Sequence, residues 1–250
     1  MSLLVIPTIY FPGKNILLNA PTHKLPILIY SYSDMETQET GIKSTIKRAY
    51  VEYVLEHGKQ PPSPFVLAKQ LGISESAFYG EYNSLEAVEA DLWLGFFEEA
   101  RTKTESQEVY EGYSVREKLL SFYYTWIEVL KSNRSFVLFA AQQFRNPQQN
   151  TPSSLKLFRA AFKRYMEELI REGRATGEVA SRPLLMDRYA NGFWMQALFL
   201  LNFWVKDPSK GFEQTDAAIE KAVNTSFDLV GPSAIDSILD FAKFIYQNRN

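Results

Sequence analysis

Residues 63–84 read SPFVLAKQLGISESAFYGEYNS, and the rest of the chain is organised around this stretch. Ser63 suits the cap of a helix whose first residue is Pro64: a hydroxyl satisfies an orphan amide there, and proline has no amide to lose. Phe65, Leu67, Ala68 and Leu71 then recur at helical spacing. Gly72 is the residue type best able to leave a helix through positive φ, and Ser74 caps the next helix. Two short helices meeting at a glycine turn share an interior of Leu67, Ala68, Leu71, Ile73 and Phe78, which leaves Ser74, Glu75, Ser76, Ala77 and Tyr79 mostly on the outer face. This is the pattern of a helix-turn-helix, whose second helix enters a DNA major groove.

The flanks extend the pattern. A helix is predicted over 41–56, with Ile42, Ile46, Ala49, Tyr50, Tyr53 and Val54 on one face and Lys43, Lys47 and Arg48 on the other. Asn83 or Ser84, with Glu86, opens a long helix through Leu85, Val88, Leu92 and Phe96 to about Lys103.

Taken together, Ile46, Ala49, Gly58, Leu67, Ala68, Leu71-Gly72-Ile73-Ser74, Phe78-Tyr79, Tyr82, Ser84 and Glu86-Ala87-Val88 resemble the N-terminal domain of the tetracycline-repressor (TetR/AcrR) family of transcriptional regulators. The resemblance covers residues 41 to about 100, and beyond that it is one of helical layout. It implies an all-α fold in which 35–84 form the DNA-reading domain and 85–250 a helical domain for effector binding and dimerisation. By the same resemblance Ser74, Glu75, Ser76, Ala77 and Tyr79 belong to the DNA-reading helix, while Ser63, Tyr82, Lys43, Lys47 and Arg48 contact phosphates. Backbone charge neutralisation supplies most of such affinity.

Three features depart from the family pattern. Leu85 stands where a phosphate-gripping lysine is usual, Gly80 and Glu81 replace polar or basic residues, and Glu75, Glu81, Glu86, Glu89 and Asp91 have only Lys69 as a local base. Weak or salt-sensitive DNA binding is the expectation. A TetR-like carrier of lipids or hydrophobic metabolites that has lost DNA binding is the alternative.

Composition narrows the remaining classes. The 250 residues are 46% hydrophobic and 22% charged, ample for a sizeable core, and the net charge of −2 gives no general attraction to nucleic acid, so any DNA binding must come from a local patch. Cysteine is absent, and the two histidines, His23 and His57, stand in no zinc-binding spacing. No metal or cofactor is expected. Glycine-rich phosphate loops and nucleophile elbows are also missing, which argues against an enzyme.

Residues 1–34 carry Pro7, Pro12, Pro21 and Pro26 and read as an extension, poorly ordered or forming short strands such as 27–32. No secretory signal or membrane-length apolar run is legible, so a cytoplasmic protein is expected. Ser114-Val-Arg-Glu117 is a capping box opening a helix with Leu119, Phe122, Trp126 and Leu130 inward. Further helices follow around 136–144, 155–173, 183–207 and 212–229, with a last one capped by Ser233. Residues 193–205 are apolar nearly all round, so that helix is expected to be buried on all sides, with 183–207 and 212–229 pairing two subunits into a homodimer.

Phe122, Trp126, Phe139, Phe162, Tyr165 and Phe193 exceed the aromatic content a helical core requires. They are candidates to line a site for a small hydrophobic effector, with Gln143 and Gln196 orienting its polar end. Aromatic stripes at helical spacing are equally the signature of plain core.

Overall fold

Ser63, Ser74 and Ser84 each cap a helix, and in doing so they build the head of the molecule. In the computed structural model, which describes residues 10–11, 14–15, 41–142, 152–182 and 186–232, the three hydroxyls accept the amide protons of Val66, Ala77 and Ala87 at 3.4, 3.1 and 3.1 Å. The helices they open are α2 (Pro64–Leu71), α3 (Glu75–Glu81) and α4 (Leu85–Glu105); α1 (Ile42–His57) precedes them. Gly72 closes α2 at φ 67°, its amide bonded to the Lys69 carbonyl and that of Ile73 to Ala68, so a β-carbon there would be strained.

The body continues with α5 (Val115–Ser132), α6 (Arg134–Ala141), α7 (Lys156–Thr176), α8 (Met186–Lys206) and α9 (Glu213–Val230). The capping box at α5 forms as expected: the Ser114 amide donates to Glu117 Oε2 at 2.8 Å and the Glu117 amide to Ser114 Oγ at 3.3 Å. The fold of Gly41–Asn250 is all-helical among the described residues, with α4 lying along α5 and α7, and α9 against α5 and α8. In a separate unit, Met1–Thr40, the described residues form an antiparallel pair, β1 (Tyr10–Phe11) with β2 (Lys14–Asn15). The strands anticipated at 27–32 and the last helix after Ser233 lie outside the described residues.

Two expectations about burial are corrected. Ile42 is 45% exposed, because it sits at the first position of α1, before the helix meets the rest of the head. More consequentially, α8 is not covered on all sides within one chain: Met195 and Phe199 are 63% and 51% exposed, while Phe193, Trp194, Ala197, Leu200 and Trp204 are buried. The apolar surround thus splits into an inner face against α7 and α9 and an outer face.

The chain between α8 and α9 turns on a single carboxylate. Asp207 Oδ2 accepts from the Thr215 amide and hydroxyl at 2.8 and 2.6 Å, and Oδ1 from the Ser209 amide and hydroxyl at 2.8 and 2.6 Å. Burial opposes its ionisation, but these four donors outweigh burial and hold its pKa at about 2. Because the folded value lies below the unfolded one, the stabilisation is complete above the ordinary carboxylate range and lost as pH falls toward 2. Asp207→Ala is expected to cost about 1–2 kcal/mol in urea unfolding at neutral pH. That deficit should shrink as the solution is acidified through the same window.

Candidate nucleic-acid interface and effector cavity

The outer face of the head is made by α3. Phe78 is fully buried and anchors the helix, whereas Glu75 and Ser76 are exposed and Tyr79 is 53% exposed, its ring edge-on to Phe78 at 5.6 Å. Ala77 is half-buried, and the Ser63 and Ser74 hydroxyls are occupied as helix caps. A short helix with one buried ring and several uncovered polar side chains suits insertion into a groove.

The expected phosphate-facing residues divide. Arg48 is exposed, but Tyr82 is only 5% exposed and its hydroxyl donates to Asp91 Oδ2 at 2.7 Å, so its ring belongs to the core. Lys43 and Lys47 also reach Asp91, at 3.3 and 3.5 Å. Burial opposes ionisation of Asp91, yet the Tyr82 hydroxyl and then the two lysines prevail and hold its carboxyl below the usual range.

This revises the charge balance read from the sequence. Asp91 is held by two bases of α1, and Glu89 is 1% exposed, so the acids on the surface of this segment are Glu75, Glu81 and Glu86. Leu85 packs its side chain against the core, which accounts for an apolar residue at that position.

Glu89 forms a second junction. Its Oε2 accepts from Tyr50 of α1 at 3.1 Å and from Gln60, in the α1–α2 connection, at 3.0 Å, and Ser154, ahead of α7, adds a weaker interaction. Head, α4 and body therefore meet at one buried carboxylate. Burial dominates the hydrogen bonds and raises its pKa. The sequence signal was an acid inside the apolar stripe of α4, between Val88 and Trp93.

In the body, the candidate effector residues form a closed cluster. Phe122, Trp126 and Phe162 are fully buried, and Tyr165 and Phe193 nearly so; Phe122 lies 5.1 Å from Tyr165, and Phe158 bridges Trp126 at 5.3 Å and Trp194 at 5.1 Å between ring centres. Gln196 spends its amide on structure, its oxygen accepting from Tyr123 at 3.2 Å and its nitrogen donating to Ser226 at 2.8 Å, which ties α5, α8 and α9 together. Phe139 is half-buried beside the core, and Gln143 lies outside the described residues.

A cavity of about 290 Å³ opens instead where the end of α4 meets α5, α7 and the single turn Tyr110–Gly112. Of the effector residues proposed from the sequence, Tyr165 alone lines it, beside Lys118 and Leu169 and under Glu105, Glu111, Glu168 and Glu172. The sequence gives these residues no motif, because they are brought together from three helices and a turn.

A three-helix head with an outward α3, joined to a helical body by one uninterrupted helix, is the architecture of a helix-turn-helix transcription regulator. Residues 118–245 match the family model for the tetracyclin repressor-like C-terminal domain. The protein belongs to the tetracycline-repressor family of ligand-responsive transcription regulators, which are generally not enzymes. No curated protein matches the chain in sequence.

Solved structures share the fold. A TetR-family transcriptional regulator of Syntrophomonas wolfei superposes with a TM-score of 0.57 at 17% identity, over 75% of this chain and 94% of that one. The fatty acid degradation regulator of Bacillus halodurans gives 0.52 at 20% identity, over 74% and 97%, and a TetR-family regulator of Shewanella sp. PV-4 gives 0.51 at 16%, over 76% and 97%. At these identities the likeness is one of fold.

The Glu89 junction yields a pH signature. With a folded pKa above the unfolded one, ionised Glu89 weakens the fold, so its contribution is most favourable below the ordinary carboxylate pKa and is lost as pH rises through the folded value. Glu89→Gln keeps an acceptor for Tyr50 without the buried charge. The variant is expected to resist urea better than the parent at about pH 8, with the gap closing toward about pH 5.

Proposed function

We propose that this protein is a homodimeric, cytoplasmic transcriptional repressor that binds a palindromic operator and leaves it when a small effector binds. The observation that carries this reading is the presentation of α3. Glu75, Ser76 and Tyr79 stand uncovered while the helix is locked beneath by Phe78 and at its start by Ser74. Residues 35–84 are the reading domain and 85–250 the effector and pairing domain. Ser74, Glu75, Ser76, Ala77 and Tyr79 meet the groove, Arg48 with Lys43 and Lys47 meets the backbone, and Ser63 lies beside a phosphate at the start of α2. Glu75 is suited to cytosine, whose exocyclic amine donates to a carboxylate.

Pairing through α8 and α9 is supported by the outer face of α8, where Met195 and Phe199 are exposed together with Leu229 of α9. Isolated exposed apolar side chains are ordinary, but two of them one turn apart on one helix are the type of surface a symmetric interface covers. Two copies of α3 would then address half-sites about one helical turn apart. An effector with an apolar part would meet Tyr165 and Leu169 in the cavity, and would reach the remaining rings of α5, α7 and α8 only by repacking them. The exposed carboxylates on and next to α3, Glu75, Glu81 and Glu86, keep the non-binding carrier reading as the competitor.

Capture of genomic fragments by the purified protein at low and moderate salt separates the two readings. Enrichment of a palindrome supports the repressor, and uniform recovery of DNA overturns it. On the captured site, Tyr79→Ala is expected to weaken binding about tenfold or more, with sedimentation still reporting a dimer. Arg48→Ala should weaken binding to all sequences alike and lower the slope of log K against log salt by about 1.

A further inference from the structure

We infer that the cavity at the end of α4 receives the positively charged end of an organic cation, a primary ammonium, in place of the guanidinium of Arg101. The inference rests on the reading that this protein answers to a small molecule and assigns that molecule its chemistry.

Charge comes first. Four carboxylates, Glu105, Glu111, Glu168 and Glu172, surround the cavity, against Lys118 in its wall and Arg101 at its edge, so negative charge is in excess by two. Lys118 is committed: it is 5% exposed, its Nζ lies 2.7 Å from Glu172, and that carboxylate outweighs burial to raise its pKa. An anionic ligand would have to approach the remaining carboxylates without a free counter-charge, at a cost that grows as water is excluded.

The walls are suited to a cation in a second, independent way. The Lys118 ammonium sits 4.9 Å from the Tyr110 ring centre, and the Arg101 guanidinium 5.2 Å from that of Tyr165. Both tyrosine faces are thus already used as cation platforms. Tyr165 is 1% exposed, and its hydroxyl, beside that of Tyr110, makes no hydrogen bond of good geometry. Its O–H is directed at Tyr110, which leaves its oxygen without a donor, and an ammonium N–H would supply one.

Arg101 occupies the slot. Its Nε donates to Glu105 Oε1 at 2.7 Å and one terminal nitrogen to Glu168 Oε2 at 2.9 Å, while the side chain is still one-third exposed. The pair with Glu168 joins α4 to α7 beside the cavity. A ligand cation that takes Arg101's place between Glu105, Glu168 and the Tyr165 ring releases that tie at the far end of the helix that carries the head. Beside Tyr165 the apolar wall of the cavity is Leu169, against which an alkyl tail on the ammonium can lie.

Three ligands with the same chain and different heads test this: n-hexylamine, hexanoate and 1-hexanol, titrated calorimetrically into the full-length protein at matched ionic strength and neutral pH. Saturable binding of hexylamine, at least about tenfold tighter than hexanoate or hexanol, supports the inference; equal or tighter binding of hexanoate overturns it, as does no binding of hexylamine. Glu168→Gln and Tyr165→Phe should each weaken hexylamine, whereas Arg101→Gln, which removes the internal competitor, should tighten it. A variant that merely loosened the fold would not produce that opposite sign, and circular dichroism confirms that each variant is folded. Gel shifts of the unliganded protein are scored separately: hexylamine binding without DNA binding sinks the regulator reading and keeps the site, and DNA binding without hexylamine binding does the reverse.

Discussion

Two carboxylates near the start of α4 carry more of this architecture than their number suggests. Asp91 gathers Lys43, Lys47 and Tyr82, so α1 and the end of α3 are fastened to α4 by charge-assisted bonds. Glu89, two residues earlier and pointing inward, is fastened by neutral donors alone. A paired carboxylate at the rim and an unpaired one in the interior respond oppositely to proton activity, and the seam between head and body depends on both.

That seam matters because α4 is continuous. Its 21 residues span roughly 30 Å at 1.5 Å per residue, with Glu89 and Asp91 near one end and Arg101 and Glu105 near the other. A helix of that length transmits a displacement of either end, since its backbone bonds resist bending more strongly than its side-chain contacts resist sliding. Differential affinity of a ligand for two placements of α4 is what a switch of this kind requires, and reversing a 1:99 population takes ~5.5 kcal/mol of it. An ion pair at the helix's far end is a contact a charged ligand can exchange, whereas a closed ring cluster yields only by repacking.

The surface charge of the head illustrates how sequence distance misleads. Asp91 and Glu89 look like part of an acidic stretch when read along the chain, yet one is met by bases 44 and 48 positions earlier and the other is buried. The patch offered to a polyanion is consequently less hostile than a tally of local acids indicates. Gln196 is a parallel case in the body: polar within an apolar run, it resembles a ligand contact in sequence and serves in space as a cross-link between three helices.

The helices, their caps and the glycine turn were legible in the sequence because each depends on interactions within four or five residues: Ser63, Ser74, Ser84 and Ser114 cap where their spacing said, and Gly72 turns where a positive φ was needed. The helix-turn-helix followed from those local rules. Tertiary structure alone decided which polar groups meet across the chain: Tyr82 inward on Asp91, Glu89 beneath Tyr50, the outer face of α8 uncovered, and a cavity walled by residues 105 to 172. Helical periodicity assigns a residue to a face, but the identity of what lies opposite that face depends on how separate helices cross, and no spacing within one segment encodes it.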